Sequence, residues 1–265
     1  MQTNSYESLK ITDNKKQKIS DALVIEAPLQ ININQEAYTV VMRTPGNDFD
    51  LIRGLLYAED IYKKKDALNF TVVEKKKDHS SIINVTIPSN NLGKGYLNKR
   101  TLLSVSSCGI CGKHKLDDIE LSGDSLENKN KFSQAQIREM FSKMKSKQAL
   151  FNQSGGSHAA AIFDKYLNLL TIKEDIGRHN AVDKSVGNLL TVNTLQNANI
   201  ILVSGRVSYE IVSKAFFAKI PIIVAVSACS SLAVDYAKEF GICLIGFSRE
   251  QKMTIYANPQ HIYYE

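Results

Sequence analysis

The chain has 265 residues, of which 43% are hydrophobic and 23% charged, and its net charge is +6 at pH 7. This composition is typical of a soluble globular protein, and the length fits one large domain or two small ones. The first twenty residues are polar and rich in lysine, so we expect no secretory signal, and no apolar run is long enough to predict a membrane span. Four cysteines are too few for a disulfide scaffold, which favours the reducing cytoplasm.

The excess positive charge comes from short lysine clusters such as 63–65 and 75–77. Surfaces that bind nucleic acids usually interleave arginine and aromatic residues with lysine, and these clusters lack them. We therefore interpret the clusters as solvated surface and expect no nucleic-acid partner. An anionic ligand stays open.

The first half of the chain predicts an α+β region that follows a disordered tail over residues 1–18. Apolar residues at helical spacing predict a helix over 48–58, capped by Asn47 or Asp48. Short runs rich in β-formers predict strands, the last of which leads to a pair of cysteines. The predicted strands cover residues 22–33, 37–44, 70–73, 81–87 and 96–105.

The second half of the chain has a different pattern, and the polar stretch 117–131 before it is the best candidate linker. Ser133 and Gln136 fit a capping box at the start of a helix. After that helix, apolar strands alternate with helices of about ten residues, which predicts an α/β layer with a largely parallel sheet. The sequence leaves open whether 19–130 and 131–265 are two domains or one continuous domain. The predicted strands are 157–163, 166–172, 200–203, 222–226 and 242–247, and the predicted helices are 180–190, 207–218 and 230–240.

Cys108 and Cys111 form a C-x-x-C pair with a glycine after each cysteine. A structural zinc site needs four ligands, and even with His114 this stretch supplies only three. A thioredoxin-like pair is usually found at a helix N-terminus, which the two glycines disfavour. A flexible thiol loop suits a third task, which is to carry a group as a persulfide and pass it on by thiol exchange.

His158 stands in the sequence G-G-S-H-A-A at 155–160. A zinc deaminase would have His-Ala-Glu here, followed later by Pro-Cys-x-x-Cys. Position 160 is Ala160, so the general acid/base is missing, and the C-x-x-C lies before the motif instead of after it. Deaminase catalysis is therefore disfavoured, and His158 is either a site residue or a hydrogen-bonded histidine at a strand start.

Polar residues crowd a predicted strand-to-helix junction in E-D-I-G-R-H-N-A-V-D-K at 174–184. The helix N-terminus would present Arg178 and His179, and such a terminus favours phosphate. Asp183 lies four residues after His179, so its carboxylate is expected to orient the imidazole. The alternative is a capped surface helix with local ion pairs.

Serines end the predicted strands of the α/β layer, and two of these ends continue to an arginine: Ser204-Gly205-Arg206 and Ser248-Arg249. The carboxyl ends of parallel strands line one crevice, where open α/β folds bind ligands. Hydroxyls, helix N-termini and arginines suit a ligand with phosphates. Neither a Walker A motif nor G-x-G-x-x-G is present, which disfavours an ATPase or a dinucleotide dehydrogenase.

Together these segments resemble the formate dehydrogenase accessory sulfurtransferase family, FdhD, from about residue 22 to the C-terminus. The motifs occur in the family's order, which is far more specific than a lone C-x-x-C. They are T-P-G-N-D-F-D-L-I-R-G-L-L at 44–56, S-S-C-G-I-C-G at 106–112, G-G-S-H-A-A at 155–160, E-D-I-G-R-H-N-A-V-D-K at 174–184, S-G-R-V-S-Y-E at 204–210 and G-F-S-R at 246–249.

The resemblance implies a cytoplasmic, homodimeric sulfur carrier that serves formate dehydrogenase. Its sulfur would come from a cysteine desulfurase and pass to the molybdenum bis(molybdopterin guanine dinucleotide) cofactor, of which GDP is a mimic. The implied fold is α/β, a cytidine deaminase-like three-layer α/β/α domain with a smaller α+β N-terminal domain. No permanently bound metal is expected.

The resemblance also implies roles for particular residues. Cys108 would carry the persulfide, with Cys111 as its partner, and the F-S-R-E-Q-K stretch would bind the cofactor, although Glu250 is an acidic departure in it. The alternative function is a non-catalytic cofactor-binding chaperone with a structural or incidental C-x-x-C. The full set of expected cofactor-binding residues is Phe247, Ser248, Arg249, Glu250, Gln251, Lys252, Arg206, Ser204, Arg178, His179 and His158.

Overall fold

The computed structural model describes residues 2–96, 123–249 and 251–263. The helices in these ranges are α1 (Asp48–Ala58), α2 (Gln134–Lys147), α3 (Ala149–Ser154), α4 (Arg178–Thr191), α5 (Tyr209–Phe217) and α6 (Ser231–Glu239). The strands are β1 (Thr3–Thr12), β2 (Lys15–Val24), β3 (Ala27–Ile33), β4 (Glu36–Arg43), β5 (Asn69–Lys75), β6 (Ser81–Thr86), β7 (Phe132–Ser133), β8 (His158–Phe163), β9 (Leu169–Asp175), β10 (Ile200–Val203), β11 (Ile222–Ala225), β12 (Cys243–Arg249), β13 (Lys252–Ala257) and β14 (Ile262–Tyr263).

The N-terminal residues form an antiparallel hairpin, so the prediction of a disordered tail over 1–18 is wrong. β1 and β2 pair along their whole length, from Thr3 opposite Val24 to Thr12 opposite Lys15. Asp13 and Asn14 both have positive φ, of 47° and 66°, which is the backbone of the tight turns that match the twist of a hairpin. Asp and Asn tolerate this conformation, so the turn chemistry outweighs the polar composition.

A four-stranded sheet in the order β4-β3-β6-β5 follows the hairpin in the N-terminal region, and α1 covers one face of it. The inward residues alternate along β3 as Leu29, Ile31 and Ile33, and all three are fully buried. α1 has the predicted bounds, and the strands predicted at 37–44, 70–73 and 81–87 are confirmed as β4, β5 and β6. The strand predicted over 22–33 is divided into β2 and β3.

The second region is built on a six-stranded sheet in the order β13-β12-β11-β10-β8-β9. Only the β10-β11 and β11-β12 pairs are parallel, so the prediction of a largely parallel sheet is wrong. β8-β9 and β12-β13 are hairpins joined by short connections, and a short connection forces an antiparallel pair. A parallel core with antiparallel edges is the result.

Helices cover both faces of this sheet, so the region has three layers, α/β/α. α4, α5 and α6 pack on one face, where alternate strand residues such as Ile201 and Val203 point. α2 packs on the other face, against Ile200 and Leu202. The predicted capping box at the start of α2 is present, with Ser133 and Gln136 as its two members. None of the described helices is long and apolar enough to cross a membrane.

One predicted strand and the predicted linker fall partly outside the described ranges. The strand predicted at 96–105 overlaps them only at Tyr96, which ends a short 3-10 turn. The candidate linker 117–131 is described from residue 123 and contains neither helix nor strand as far as 131. The domain boundary at 130/131 stays a prediction.

Helices α1 and α4 join the two regions through a close contact at two glycines. A Cβ atom built on Gly187 would lie 1.8 Å from the carbonyl oxygen of Asp50, and one on Gly54 would lie 2.0 Å from that of Asp183. Both distances are far below van der Waals contact, so only glycine lets the helix backbones come this close. Asp50 adds polar bonds across the contact, to Lys173 at 3.2 Å and Asn188 at 3.1 Å.

We expect Gly187→Ala to lower the free energy of unfolding by about 3 kcal/mol or to prevent folding, because the new methyl group overlaps the α1 backbone. The higher helix propensity of alanine offsets only about 1 kcal/mol of this loss. Urea denaturation measures the difference. Gly156→Ala is the matched control, since its Cβ would lie at an ordinary 3.5 Å from Val24. Equal stability of Gly187→Ala and the wild type would contradict the close contact.

Candidate functional site

One edge of the six-stranded sheet collects most of the polar residues that the sequence singled out. Because β8 runs antiparallel to β10, the first residue of β8, His158, lies beside Ser204, which directly follows β10. The Ser204 hydroxyl accepts a hydrogen bond from the Ala159 backbone N–H at 2.9 Å and lies 3.4 Å from His158 Nδ1. β9 then brings Asp175, opposite His158 in register, to the same edge.

A cavity of about 210 Å³ opens at this edge, where the two regions of the chain meet. His158, Arg178 and His179 line it from the α/β region, and Glu26 and Met42 line it from the N-terminal region. The structure therefore brings three of the predicted cofactor-binding residues together around one space. Nothing in the sequence marked Glu26 or Met42 as site residues, since Met42 lies within β4 and Glu26 lies in the short connection between β2 and β3.

Arg178 is the residue of this cavity with unused hydrogen-bonding capacity. Its Nε is buried and has no hydrogen-bond partner among the described residues. Gly205 allows the guanidinium stem to approach His158, because a Cβ there would lie 3.3 Å from Arg178 Cβ and 3.2 Å from His158 Nδ1. A buried N–H donor without an acceptor is rare in folded proteins, and an anionic ligand would satisfy it.

His158 is held toward its neutral form. Burial is the largest cause and lowers the pKa of its imidazole, and the positive charge of Arg178 lowers it further. The Asp175 carboxylate raises this pKa by less than Arg178 lowers it, and Arg206 adds a still smaller lowering effect. A neutral imidazole has one donor and one acceptor nitrogen, so His158 can take part in a hydrogen bond beside the arginine without adding charge.

His179 is hydrogen-bonded on both ring nitrogens. Its Nδ1 lies 3.1 Å from a carboxylate oxygen of Glu210, and its Nε2 lies 3.1 Å from the hydroxyl of Ser208. The expectation that Asp183 orients this imidazole needs correction, because the Asp183 carboxylate binds the Lys214 ammonium with both oxygens, at 2.7 and 2.9 Å. Sequence spacing favoured Asp183, which is on the same helix as His179, as the carboxylate that orients the imidazole. Tertiary packing instead places Glu210 of α5 beside it. The motif at 204–210 contained Ser208 and Glu210 but gave no sign of their partner.

Asp175 and Lys184 form a fully buried ion pair, 2.7 Å long, that fixes the start of α4 at this edge. Thr44 joins the pair, since its N–H donates to Asp175 at 3.1 Å and its carbonyl accepts from Lys184 at 2.8 Å. The other carboxylate oxygen of Asp175 accepts from the Gly177 N–H and from the Asn180 side chain. These bonds set the orientation of the first turn of α4.

The remaining predicted cofactor-binding residues that the structure describes lie farther along the same edge. Arg249 donates from Nε to the Val226 carbonyl at 2.8 Å, Phe247 is 44% exposed with a φ of 50°, and Ser248 is buried. β11 separates this group from β10, which corresponds to roughly 10 Å across the strands. Arg206, Gln251 and Lys252 are exposed, and Glu250 lies outside the described residues. The two groups share an edge but not the cavity.

A family model described as FdhD/NarQ family matches residues 24–263. The chain belongs to the FdhD/NarQ family. The resemblance inferred from the motifs is therefore confirmed. This chain is 39% identical over 264 residues to the sulfur carrier protein FdhD of Sulfolobus acidocaldarius, with 99% of each chain covered. It is 37% identical to the protein of the same name from Streptomyces avermitilis, with 98% of this chain and 95% of that one covered.

A solved structure gives the same picture of the fold. The crystal structure of a candidate formate dehydrogenase accessory protein from Desulfotalea psychrophila superposes with a TM-score of 0.76. It covers 99% of this chain and 100% of its own, at 21% sequence identity. At that identity the likeness shows a shared fold for the two chains, and no more.

The cysteines divide into two classes. Cys108 and Cys111, to which the FdhD resemblance assigns the sulfur chemistry, lie outside the described residues. Cys243 is buried in β12 and Cys229 is half-buried, and burial raises the pKa of their thiols to about 12 and about 11. Such thiols carry very little thiolate at neutral pH, which fits their interpretation as packing residues. Within 2–96, 123–249 and 251–263, no three His, Cys, Asp or Glu side chains cluster as metal ligands would.

The lowered pKa of His158 makes the stability of the fold depend on pH. Between the folded pKa and the unfolded value near 6.5, only the unfolded chain binds the proton, so stability rises with pH through that window and levels off above it. We expect His158→Gln to lose this part of the slope in urea denaturation between about pH 5 and pH 8. An NMR titration of the wild type should place the His158 pKa below 6.5, and a value at or above it would contradict the burial argument.

Proposed function

We propose that this chain is a sulfur carrier for formate dehydrogenase. It takes sulfur from a cysteine desulfurase as a persulfide on Cys108 or Cys111 and transfers it to the molybdenum bis(molybdopterin guanine dinucleotide) cofactor. The enzyme then receives the sulfurated cofactor. Family membership and the names of the relatives from Sulfolobus and Streptomyces support the sulfur-carrying role.

The observation that carries the cofactor half of the proposal is the Arg178 Nε, which has no hydrogen-bond partner among the described residues and lies in a cavity beside a helix N-terminus. The first turn of α4 points its backbone N–H groups and positive dipole end toward the same space, which favours a phosphate. His158 adds an uncharged hydrogen-bonding group. The cofactor is the substrate here, and its guanine dinucleotide carries the phosphates that such a cavity would bind.

The second polar group on the sheet edge extends the same proposal. A dinucleotide is too large to fit within a cavity of about 210 Å³. The parts of the cofactor that do not enter the cavity must therefore lie along the protein surface. Arg249 and Lys252 place positive charge there, and Phe247 offers an exposed aromatic ring. We assign Phe247–Lys252 to the outer part of the bound cofactor, with Arg206 between the two groups.

The scaffold fits an origin in a deaminase-like fold that has lost the deamination reaction. We propose that the three-layer region is related to cytidine deaminase-like domains and that the protein is a cytoplasmic homodimer. Ala160 is fully buried within β8, so the general acid/base of a deaminase has no equivalent at this position.

The transfer itself is thiol exchange in two steps. A carrier thiolate attacks the terminal sulfur of the desulfurase persulfide, the donor S–S bond breaks, and the donor cysteine leaves as a thiolate. An electron-rich acceptor on the cofactor then attacks the terminal sulfur of the carrier persulfide, and the carrier cysteine leaves as a thiolate. No external oxidant or reductant is needed, because the attacking acceptor supplies the electron pair of its new bond to sulfur and the carrier cysteine leaves with the pair of the bond that breaks.

Incubation with a cysteine desulfurase and cysteine is expected to increase the intact mass by about 32 Da, one sulfur atom. The double variant Cys108→Ala, Cys111→Ala should lose this adduct. Cys229→Ala is the control and should retain it, since burial raises the pKa of that thiol to about 11. Peptide mapping of each single variant then shows which cysteine holds the sulfur.

The same variants separate the carrier from the alternative function, a chaperone that holds the cofactor without sulfur chemistry. A chaperone with incidental cysteines would still support formate dehydrogenase activity in cells that express the double variant. An adduct that persists without both cysteines, or full activity in such cells, would contradict the sulfur-carrier proposal.

GDP, as the mimic of one half of the guanine dinucleotide, tests the cavity. We expect Arg178→Ala to weaken GDP binding by about 1.5–3 kcal/mol, the value of a charge-assisted hydrogen bond, which is about 10- to 150-fold in Kd. Isothermal titration measures the change. Arg138→Ala on the exposed face of α2, the helix that packs on the opposite face of the sheet, is the control and should bind as the wild type does. An unchanged Kd for Arg178→Ala would place the phosphates elsewhere.

A further inference from the structure

Two serines occupy equivalent positions in the α/β region and use their hydroxyls differently. Ser208 is the N-cap of α5, which follows β10, and Ser230 is the N-cap of α6, which follows the neighbouring parallel strand β11. Ser230 caps its helix in the usual way, by accepting a hydrogen bond from the Ala233 N–H at 3.2 Å. The Ser208 side chain makes no capping bond and lies 3.1 Å from His179 Nε2 instead.

The imidazole beside Ser208 is itself held by a carboxylate. Glu210 lies 3.1 Å from His179 Nδ1, and both residues are less than a tenth exposed. A carboxylate at Nδ1 keeps the proton on that nitrogen, which leaves Nε2 to accept the proton of the serine hydroxyl. It also stabilises the imidazolium that forms when the proton arrives.

We propose that Ser208 is an activated nucleophile, with His179 as its general base and Glu210 as the carboxylate that orients the base. The hydroxyl, the imidazole and the carboxylate stand in the order and at the distances that define such a triad, which is recognised by geometry and not by position in the chain. The other serine–histidine pair of this edge is different, because the Ser204 hydroxyl oxygen accepts from a backbone N–H and lies 3.4 Å from His158.

The cavity indicates the class of substrate. His179 lines it together with Arg178, whose buried Nε has no partner within the part of the chain that the structure describes. Ser208 is half-buried next to His179. A compact activated acyl compound with an anionic group would place that group at Arg178 and its carbonyl carbon near Ser208. This activity needs no cysteine, but it uses the same cavity and the same Arg178 donor as the proposed cofactor site.

The reaction is acyl transfer to the serine followed by hydrolysis. The Ser208 oxygen bonds to the carbonyl carbon, the bond from that carbon to the leaving group breaks, and the serine proton passes through His179 Nε2 to the leaving group. Water then attacks the acyl-serine with His179 as base, and the serine regains its proton. The carboxylic acid and the leaving group are the products, and no electrons are exchanged with another compound.

Two serine-directed probes test the proposal on the full-length protein: an alkyl fluorophosphonate and the smaller methanesulfonyl fluoride. Each should release fluoride and leave one adduct per chain, located at Ser208 by peptide mass mapping. Ser208→Ala should abolish the adduct, and Glu210→Gln should slow its formation by about 100-fold, as expected when a general base loses its orientation. Ser230→Ala is the matched control and should react as the wild type does.

The thermal stability of each variant is measured separately, so that a loss of labelling can be distinguished from a loss of folding. Glu210→Asp keeps the carboxylate and should recover part of the labelling rate that Glu210→Gln loses. If Glu210 had a purely structural role, its substitution would change the thermal stability and leave the labelling rate unchanged. Urea-unfolded protein should react with neither probe, because unfolding separates Ser208 from His179. Absence of labelling by both probes, labelling that Glu210→Gln leaves unchanged, or equal labelling at Ser230 would each overturn the proposal.

Discussion

The buried ion pair between Asp175 and Lys184 is the interaction on which the candidate site depends. The two side chains are completely inaccessible to solvent and lie 2.7 Å apart, with Thr44 of the N-terminal region bonded to both. Removing one member of such a pair leaves an uncompensated buried charge, which costs about 3–5 kcal/mol in other proteins. The end of β9, the middle of α4 and the end of β4 are therefore confined to one arrangement.

The position of the cavity follows from that arrangement. Asp175 also accepts from Gly177 and Asn180, so the turn that presents Arg178 and His179 is tied to the same carboxylate. The N-terminal region supplies one wall of the cavity and is brought to it by the glycine contact between α1 and α4. The geometry of the site consequently depends on how the two regions pack against each other.

Strand direction decides which side chains meet at the sheet edge. His158 begins β8 and reaches the carboxyl-terminal edge of β10 because β8 runs antiparallel to β10. Asp175 ends β9 and lies opposite His158 because β8 and β9 form a hairpin. In a fully parallel sheet His158 would lie at the opposite edge, far from Ser204. The feature that the sequence predicted wrongly is thus the one that assembles the cavity.

Local sequence patterns were sufficient to predict α1, the capping box of α2 and β10, and the structure agrees with all three predictions. The order of the motifs along the chain was sufficient to predict the family. The carboxylate that pairs with His179 could not be predicted from the sequence. Helical spacing favoured Asp183, whereas in the structure the Glu210 carboxylate lies beside the His179 imidazole. Helix and strand geometry fixes which residues of one element share a face. Which of several carboxylates meets an imidazole depends on how separate elements pack, and only the tertiary structure decides that.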